Sequence, residues 1–296
     1  MKFDQTYIAI RKRSLLEIVD LSFHVIRDYL WPVSLLWLLG SLPFMLLNWW
    51  LIGWMAEDYY DYEMLWVFIF TSALLICVQS QVATTFLTNY LGQAMFAQRP
   101  TIWGVVRSTF STSPYFLWVH GVWRMLLPAV LIVAAFDPNS QRDSFGAAMV
   151  FLVIVVGLGL LVRCVRPFAC EILSLEKTPV FKKEGQISYG LRSSSLHRAA
   201  NSELLGRFIL ISLISVPLTI TIAGSLLIFD FTLNLQAAGE YLPVVFYGPL
   251  AMWIVAGILA VVRFLSYIDI RIRQEGWEVE LRLRSEAIQL EKGLEV

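Results

Sequence analysis

The chain has 296 residues, of which 57% are hydrophobic and only 16% are charged, and its formal net charge is zero. A soluble domain typically carries about 25% charged residues, whereas the mean hydropathy of this chain is +0.65. This composition excludes an ordinary soluble domain. The balanced charge also gives no basis for nucleic-acid binding.

Six long apolar runs divide the sequence. Each contains the roughly 20 residues that a helix needs to cross a hydrocarbon core of about 30 Å, and none alternates like a β-barrel strand. We therefore predict an all-α polytopic membrane protein, with six transmembrane helices in residues 1–266 and a cytoplasmic helical tail in residues 267–296. The predicted spans are Tyr29–Met55, Met64–Tyr90, Tyr115–Phe136, Phe145–Val165, Phe208–Phe229 and Val244–Ser266.

The basic residues indicate an orientation. Lysine and arginine are concentrated in the two tails and in the second and fourth connections, and the other connections contain only Arg142. Because positively charged connections stay in the cytoplasm, both termini should be cytoplasmic. The first run is too long for the apolar part of a cleaved signal peptide, so we expect it to remain as an anchor.

A short amphipathic segment precedes each odd-numbered span: Ser14–Asp28, Thr101–Ser113 and Gln186–His197. Such segments are typical of interfacial helices that lie along the membrane surface. A proline then follows in each of these spans, at Pro43, Pro128 and Pro217. One interpretation is three degenerate units, each with an interfacial helix and two spans. The alternative is that short cytoplasmic amphipathic segments produce this spacing without any repeat.

A polar membrane site is a further hypothesis. Arg124 lies near the middle of the third span, where an arginine costs about 2.5–3.5 kcal/mol and must face protein or water. Gln81, Thr85 and Thr88 share one face of the second span, and we expect Arg124 to be buried against it. These side chains either bind a substrate or lipid headgroup, or hold helices together through small residues and hydrogen bonds.

Basic residues at the end of the fourth span and in the following connection form a candidate site for lipid headgroups. Each contributes about 1 kcal/mol near an anionic surface. The alternative is that they extend towards headgroups individually and form local ion pairs with the glutamates nearby. The candidate residues are Arg163, Arg166, Lys177, Lys182 and Lys183.

The C-terminal segment Tyr267–Leu290 fits two structures. Its alternating apolar and charged residues match a strand hairpin, but its apolar residues also share one helical face and its charges pair at i,i+4 spacing. We favour a helix that continues from the sixth span and docks a partner through Arg273, Glu275, Gly276 and Trp277.

No motif for an enzyme or a cofactor is present. The sequence has no HExxH, GxSxG, Walker A or GxGxxG pattern and no CxxC pair. We therefore expect no catalytic residues, no metal site and no cofactor.

Three stretches of the sequence resemble a family. The tail residues Arg273–Trp277, the entry helix Leu15–Phe23 and the central segment Arg166–Glu176 with Arg192–Ser194 resemble a bacterial family of six-span proteins. That family is similar to the membrane domain of glycerophosphoryl diester phosphodiesterases. The resemblance implies the inner membrane and, as partners, a MoxR-type ATPase or a transglutaminase-like membrane protein. It carries no phosphodiesterase chemistry over, because the soluble domain is missing.

Two function classes remain from the sequence. The first is a non-enzymatic scaffold or accessory subunit of a membrane complex, which contacts membrane lipids and docks partners on its cytoplasmic side. The second is a small transporter or lipid-handling protein that uses a midplane polar site around Arg124, since transporter sites commonly lie at that depth.

Overall fold

The computed structural model describes residues 13–56, 62–95, 100–111, 126, 129–130, 166–176, 188–198, 201–232 and 242–274. Within these ranges all regular secondary structure is helical, which confirms the all-α prediction. A 3-10 turn at Gly53–Ala56 follows the second helix. The α-helices are α1 (Leu15–Asp28), α2 (Leu30–Ile52), α3 (Tyr62–Ala83), α4 (Thr85–Ala94), α5 (Ile102–Ser111), α6 (Ala169–Leu175), α7 (Tyr189–Arg198), α8 (Asn201–Thr232) and α9 (Leu242–Gln274).

Four stretches are long and apolar enough to cross a membrane: Leu30–Ala56, Met64–Ala94, Ser202–Thr232 and Val245–Gln274. They correspond to the predicted first, second, fifth and sixth spans and support a membrane protein. The predicted third and fourth spans lie outside the described residues except at positions 126 and 129–130. The number of six spans therefore stays a prediction.

Helix α1 begins with a capping box. The Ser14 hydroxyl accepts a hydrogen bond from the backbone N–H of Glu17, and the Glu17 carboxylate accepts one from the backbone N–H of Ser14. These two bonds satisfy N–H groups that a helix start leaves without a partner. The helix buries Ile18 and exposes Leu16 and Phe23. A helix is therefore present where the sequence predicts one, and its position along the membrane surface stays a prediction.

Helix α2 carries exposed tryptophans near both ends. Trp31 and Trp50 are 74% and 78% exposed, and the helical rise of 1.5 Å per residue separates them by about 29 Å. Tryptophan concentrates at the two membrane–water interfaces, and the hydrocarbon core between them is about 30 Å thick. This spacing supports a membrane crossing by α2.

Helices α2, α3 and α9 pack closely because glycines remove the side chains at the crossing points. A Cβ atom on Gly40 would overlap the carbonyl oxygen of Ala83, and one on Gly257 would lie 2.6 Å from the Trp37 ring. The Trp37 Nε1 donates to the carbonyl oxygen of Trp253 at 3.0 Å. Small residues allow such close approach between membrane helices.

Helices α8 and α9 have 32 and 33 residues, which makes each nearly 50 Å long. Each therefore extends about 18 Å beyond a 30 Å hydrocarbon core. Three short helices, α1, α6 and α7, lie against this part of the protein. We call α1, α6, α7, the first turns of α8 (Asn201–Leu210) and the last turns of α9 (Arg263–Gln274) the collar.

The end of α9 is part of the packed core. Tyr267 and Ile270 are 0% and 1% exposed, and the helix continues without interruption from the sixth span to Gln274. Residues 267–274 are therefore helical, and the prediction for the rest of the tail stays a prediction. The predicted boundary between residues 266 and 267 falls inside this helix, and residues 275–296 lie outside the described part.

Candidate functional site

The collar is built on charged side chains from helices that are far apart in sequence. Arg263, in the last turns of α9, donates from Nε to the Glu171 carboxylate at 2.6 Å and from Nη2 to the Thr84 hydroxyl at 3.4 Å. Glu171 is completely buried and lies in the first turn of α6. Removing one partner of a buried ion pair is costly, because the other charge then stays buried without a counter-charge. It fixes α6 against α4 and α9.

Glu176 joins α6 to α7 and α9. Arg192 donates to both carboxylate oxygens of Glu176, at 2.6 and 3.0 Å, and the Tyr267 hydroxyl donates to it at 2.6 Å. Burial raises the pKa of Glu176, but the hydrogen bonds from Arg192 and Tyr267 and the nearby charge of Arg271 outweigh it and lower the pKa overall. Glu176 is therefore ionised at neutral pH and holds three helices together.

Asp269 is the centre of a second group of charges. It accepts hydrogen bonds from the backbone N–H of Arg13 at 3.1 Å and from Arg207 at 2.7 Å, and the Arg273 guanidinium lies 3.1 Å away. Glu203 accepts from Arg207 at 2.7 Å and from both terminal nitrogens of Arg273 at 2.8 and 2.9 Å. These contacts join α1, α8 and α9.

The predicted polar stripe of the second span lies between helices. Gln81, Thr85 and Thr88 are 4%, 3% and 0% exposed. The hydroxyls of Thr85 and Thr88 donate to backbone carbonyl oxygens one turn earlier, each at 3.1 Å. The Thr85 hydroxyl also lies 3.7 Å from the sulfur of Cys170 on α6. These contacts are typical of helix packing in a membrane.

A second pair of buried polar residues lies between α2 and α3. The side-chain amides of Asn48 and Gln79 exchange two hydrogen bonds, at 2.8 and 2.7 Å. Both residues are less than a tenth exposed. Because each amide satisfies the other, this pair stabilises the α2–α3 contact without needing a ligand.

Two further residues of the predicted sites, Arg166 and Arg273, lie within the described ranges. Arg166 is described and exposed, whereas Arg273 is part of the ion pairs with Glu203 and Asp269. Within the described ranges, no group of three histidine, cysteine, aspartate or glutamate side chains is arranged to hold a metal ion. The remaining predicted residues lie outside those ranges: Arg124, Arg163, Lys177, Lys182, Lys183, Glu275, Gly276 and Trp277.

The sequence contains a weak signal for the pairing of Arg263 with Glu171, which local patterns do not predict. Arg263 is a single base at the end of an apolar run, and Glu171 is a single acid within the apolar stretch Phe168–Leu173. Lone charges of opposite sign in two apolar segments indicate a pair, because neither is stable alone in a buried position. Asp269 and Arg207 give a weaker signal, since Arg271 lies two residues after Asp269 and Glu203 lies four residues before Arg207.

Comparisons of the chain with protein-family models, with curated proteins and with solved structures give no match. The resemblance to the phosphodiesterase membrane domain therefore stays a prediction.

Proposed function

We propose that this protein is a non-enzymatic scaffold or accessory subunit of a membrane complex. In this proposal it crosses the bacterial inner membrane six times and has both termini in the cytoplasm. The observation that carries the proposal is the collar, in which buried ion pairs connect α1, α6, α7, α8 and α9. The proposed docking surface is the cytoplasmic face that these helices form.

Buried ion pairs suit a scaffold because they fix geometry more than they add stability. Removing two charges from water is costly, and the pair regains this cost only when its hydrogen bonds are well formed. In the collar, carboxylates such as Glu176 and Glu203 each accept hydrogen bonds from two or more side chains. The charged groups are therefore used to hold helices in one arrangement, as a docking platform requires.

Helix α5 supports the proposed position of this face at the membrane surface. Trp103 and Phe110 are 77% and 64% exposed, and Arg107 between them is exposed too. Their spacing places all three on one helical face. An aromatic and basic face of this kind favours the boundary between acyl chains and headgroups.

A transporter would need a polar cavity near the middle of the membrane. In the part of the second span that the structure describes, the polar side chains are buried against α6 and α9, and the Asn48 and Gln79 amides are paired with each other. These contacts favour the scaffold over the transporter. The predicted role of Arg124 is untested by them.

Truncation after Gln274 tests the proposed docking function. The truncated chain keeps the pairs of Arg273 and the hydrogen bond from Gln274 to the carbonyl oxygen of Leu196. We therefore expect normal membrane insertion and an unchanged melting temperature. The amount of cross-linked partner that co-purifies, measured by quantitative mass spectrometry, should fall at least about tenfold. By the family resemblance, the partner expected is a MoxR-type ATPase or a transglutaminase-like membrane protein.

Two tryptophan variants make the test specific. Trp277→Ala should reduce the co-purifying partner as the truncation does, whereas Trp103→Ala on α5 should leave it unchanged. If the truncated protein and Trp277→Ala both retain the partner at wild-type levels, the docking proposal is wrong.

A further inference from the structure

Helix α5 lies antiparallel to α4, which forms the last part of the second crossing stretch. Three side-chain contacts set this arrangement, and each step towards the end of α5 meets an earlier residue of α4. The contacts are Ser108 with Gln93 at 3.5 Å, Thr109 with Asn89 at 2.8 Å, and the Phe110 ring with the Phe86 ring at 5.7 Å between centroids. The start of α5 is therefore nearest to the membrane surface, and its end lies deeper.

The depth of α5 in the membrane follows from these contacts. Gly40 lies midway between the exposed tryptophans Trp31 and Trp50, and it packs against the carbonyl oxygen of Ala83. Ala83 is therefore near the middle of the hydrocarbon core. Half of a core of about 30 Å corresponds to about ten helical residues. The boundary between acyl chains and headgroups thus falls near Gln93, whose side chain contacts the middle of α5.

The outer face of α5 has the order of residues that this depth favours. Trp103, Arg107 and Phe110 are all exposed and share one face of the helix. Trp103 lies on the headgroup side of the boundary, where tryptophan concentrates. Phe110 lies on the acyl-chain side, and Arg107 lies between the two, at the boundary itself.

Arg107 is an unpaired charge at this depth. Its guanidinium makes no hydrogen bond or ion pair within the part of the chain that the structure describes. The sequence contains no aspartate or glutamate between Glu63 and Asp137. The carboxylates of α6, which also packs against α4, already form ion pairs with Arg263 and Arg192. A counter-charge for Arg107 therefore has to come from outside the described protein.

The surface of α5 leaves room for an anion beside this guanidinium. Helical side chains tilt towards the N-terminus of their helix, so Arg107 is directed back towards Gly104 and the headgroups. Gly104 is exposed, and a Cβ atom there would meet only the Thr101 hydroxyl within 4 Å. The space beside Gly104 is thus open to a phosphate, to which a planar guanidinium can donate two parallel hydrogen bonds.

We propose that this face of α5 binds one anionic phospholipid. The phosphate pairs with Arg107 beside Gly104, Trp103 packs against the headgroup, and an acyl chain follows Phe110 into the membrane. A lipid with a net negative charge is favoured, because the phosphate of a zwitterionic lipid already has a counter-charge in its own headgroup. The site is separate from the basic residues that the sequence suggests for headgroups, and it does not depend on the docking of a partner.

Arg107→Leu tests the proposal, because an exposed side chain without a partner can be replaced without disturbing the fold. The delipidated full-length protein in dodecyl maltoside is titrated with dioleoyl-phosphatidylglycerol, and native mass spectrometry gives the Kd of the first bound lipid. We expect Arg107→Leu to raise this Kd about tenfold, which corresponds to about 1.4 kcal/mol, at an unchanged melting temperature. Arg107→Lys should raise it less, because lysine keeps the charge but not the two parallel hydrogen bonds.

A photoactivatable phosphatidylglycerol, with a diazirine near the start of one acyl chain, locates the bound lipid. Peptide mass spectrometry should find its cross-links on Thr101–Ser111 in the wild type and lose most of them in Arg107→Leu. Arg27→Leu is the matched control, because Arg27 is an exposed arginine that already has a counter-charge in Asp28, 3.6 Å away. This variant should keep the wild-type Kd and the cross-links on α5.

Dioleoyl-phosphatidylcholine should bind the wild type several-fold more weakly than phosphatidylglycerol, and millimolar inorganic phosphate should not displace phosphatidylglycerol. An unchanged Kd in Arg107→Leu, an equal loss of binding in Arg27→Leu, or equal affinity for the two lipids would overturn the proposal. Cross-links that stay on Thr101–Ser111 in Arg107→Leu would overturn it as well. Displacement by phosphate would show a soluble-anion site and would overturn the lipid assignment.

Discussion

Arg263→Met should lower the free energy of unfolding by about 3–5 kcal/mol, which is the usual cost of breaking a buried ion pair. The reason is that Glu171, its partner at 2.6 Å, is completely buried and has no second charged partner among the described residues. The hydrogen bond to Thr84 would be lost as well. The effect is measured as the melting temperature in detergent, by fluorescence-detected size-exclusion chromatography.

Two further variants separate the loss of charge from the loss of packing. Arg263→Met with Glu171→Met should regain more than half of the lost melting temperature, because the double variant leaves no uncompensated charge. Arg27→Met is the matched surface control. The Arg27 side chain is 76% exposed and lies 3.6 Å from Asp28, and an exposed pair contributes at most about 1 kcal/mol. If Arg263→Met melts like the wild type, Glu171 does not depend on Arg263.

Asp269→Ala should have an effect of similar size, about 3–5 kcal/mol, because it leaves Arg207 buried with only Glu203 as a partner. It also removes the acceptor for the backbone N–H of Arg13, which precedes α1. We therefore expect the melting temperature to fall and amide hydrogen exchange in Leu15–Asp28 to become faster. Hydrogen exchange measured by mass spectrometry gives both the extent and the location of the change.

Asp28→Ala is the control for Asp269→Ala. The Asp28 side chain is 63% exposed and its pairing with Arg27 is weak, so this variant should keep the wild-type melting temperature. Uniformly faster exchange in Asp269→Ala, without a larger change in α1, would contradict the role of Asp269 as the residue that joins α1 to α8 and α9.

Local sequence patterns predict the helices well. Four of the six apolar runs overlap the described crossing stretches, and the amphipathic segment Ser14–Asp28 coincides with α1. The helical period of the tail predicts a helix that continues from the sixth span, and α9 does continue as far as Gln274, the last described residue. One feature is missed within the second predicted span, where α3 ends at Ala83 and α4 begins at Thr85. No proline or glycine marks this position, so local sequence gives no reason for a break.

The collar is harder to predict because its pairs join distant parts of the chain. Arg263 and Glu171 are 92 residues apart, and Arg207 and Asp269 are 62 residues apart. An acidic or basic side chain near the membrane surface can extend towards the headgroups or form an ion pair within the protein. Its place in the sequence does not distinguish the two cases. Arg273 illustrates the difficulty, since its sequence context suggests a docking residue and its side chain is paired within the protein.

The rigidity of the collar is the central claim, and a distance measurement between α1 and α7 tests it most directly. Spin labels are placed at Leu16 and Leu191, which are 66% and 63% exposed, after the three native cysteines have been replaced by alanine. Double electron–electron resonance is then recorded in nanodiscs that contain phosphatidylglycerol. We predict a single narrow distance distribution, because the ion pairs hold both helices against α9. Two separate distances, as an alternating-access transporter would show, would contradict the scaffold.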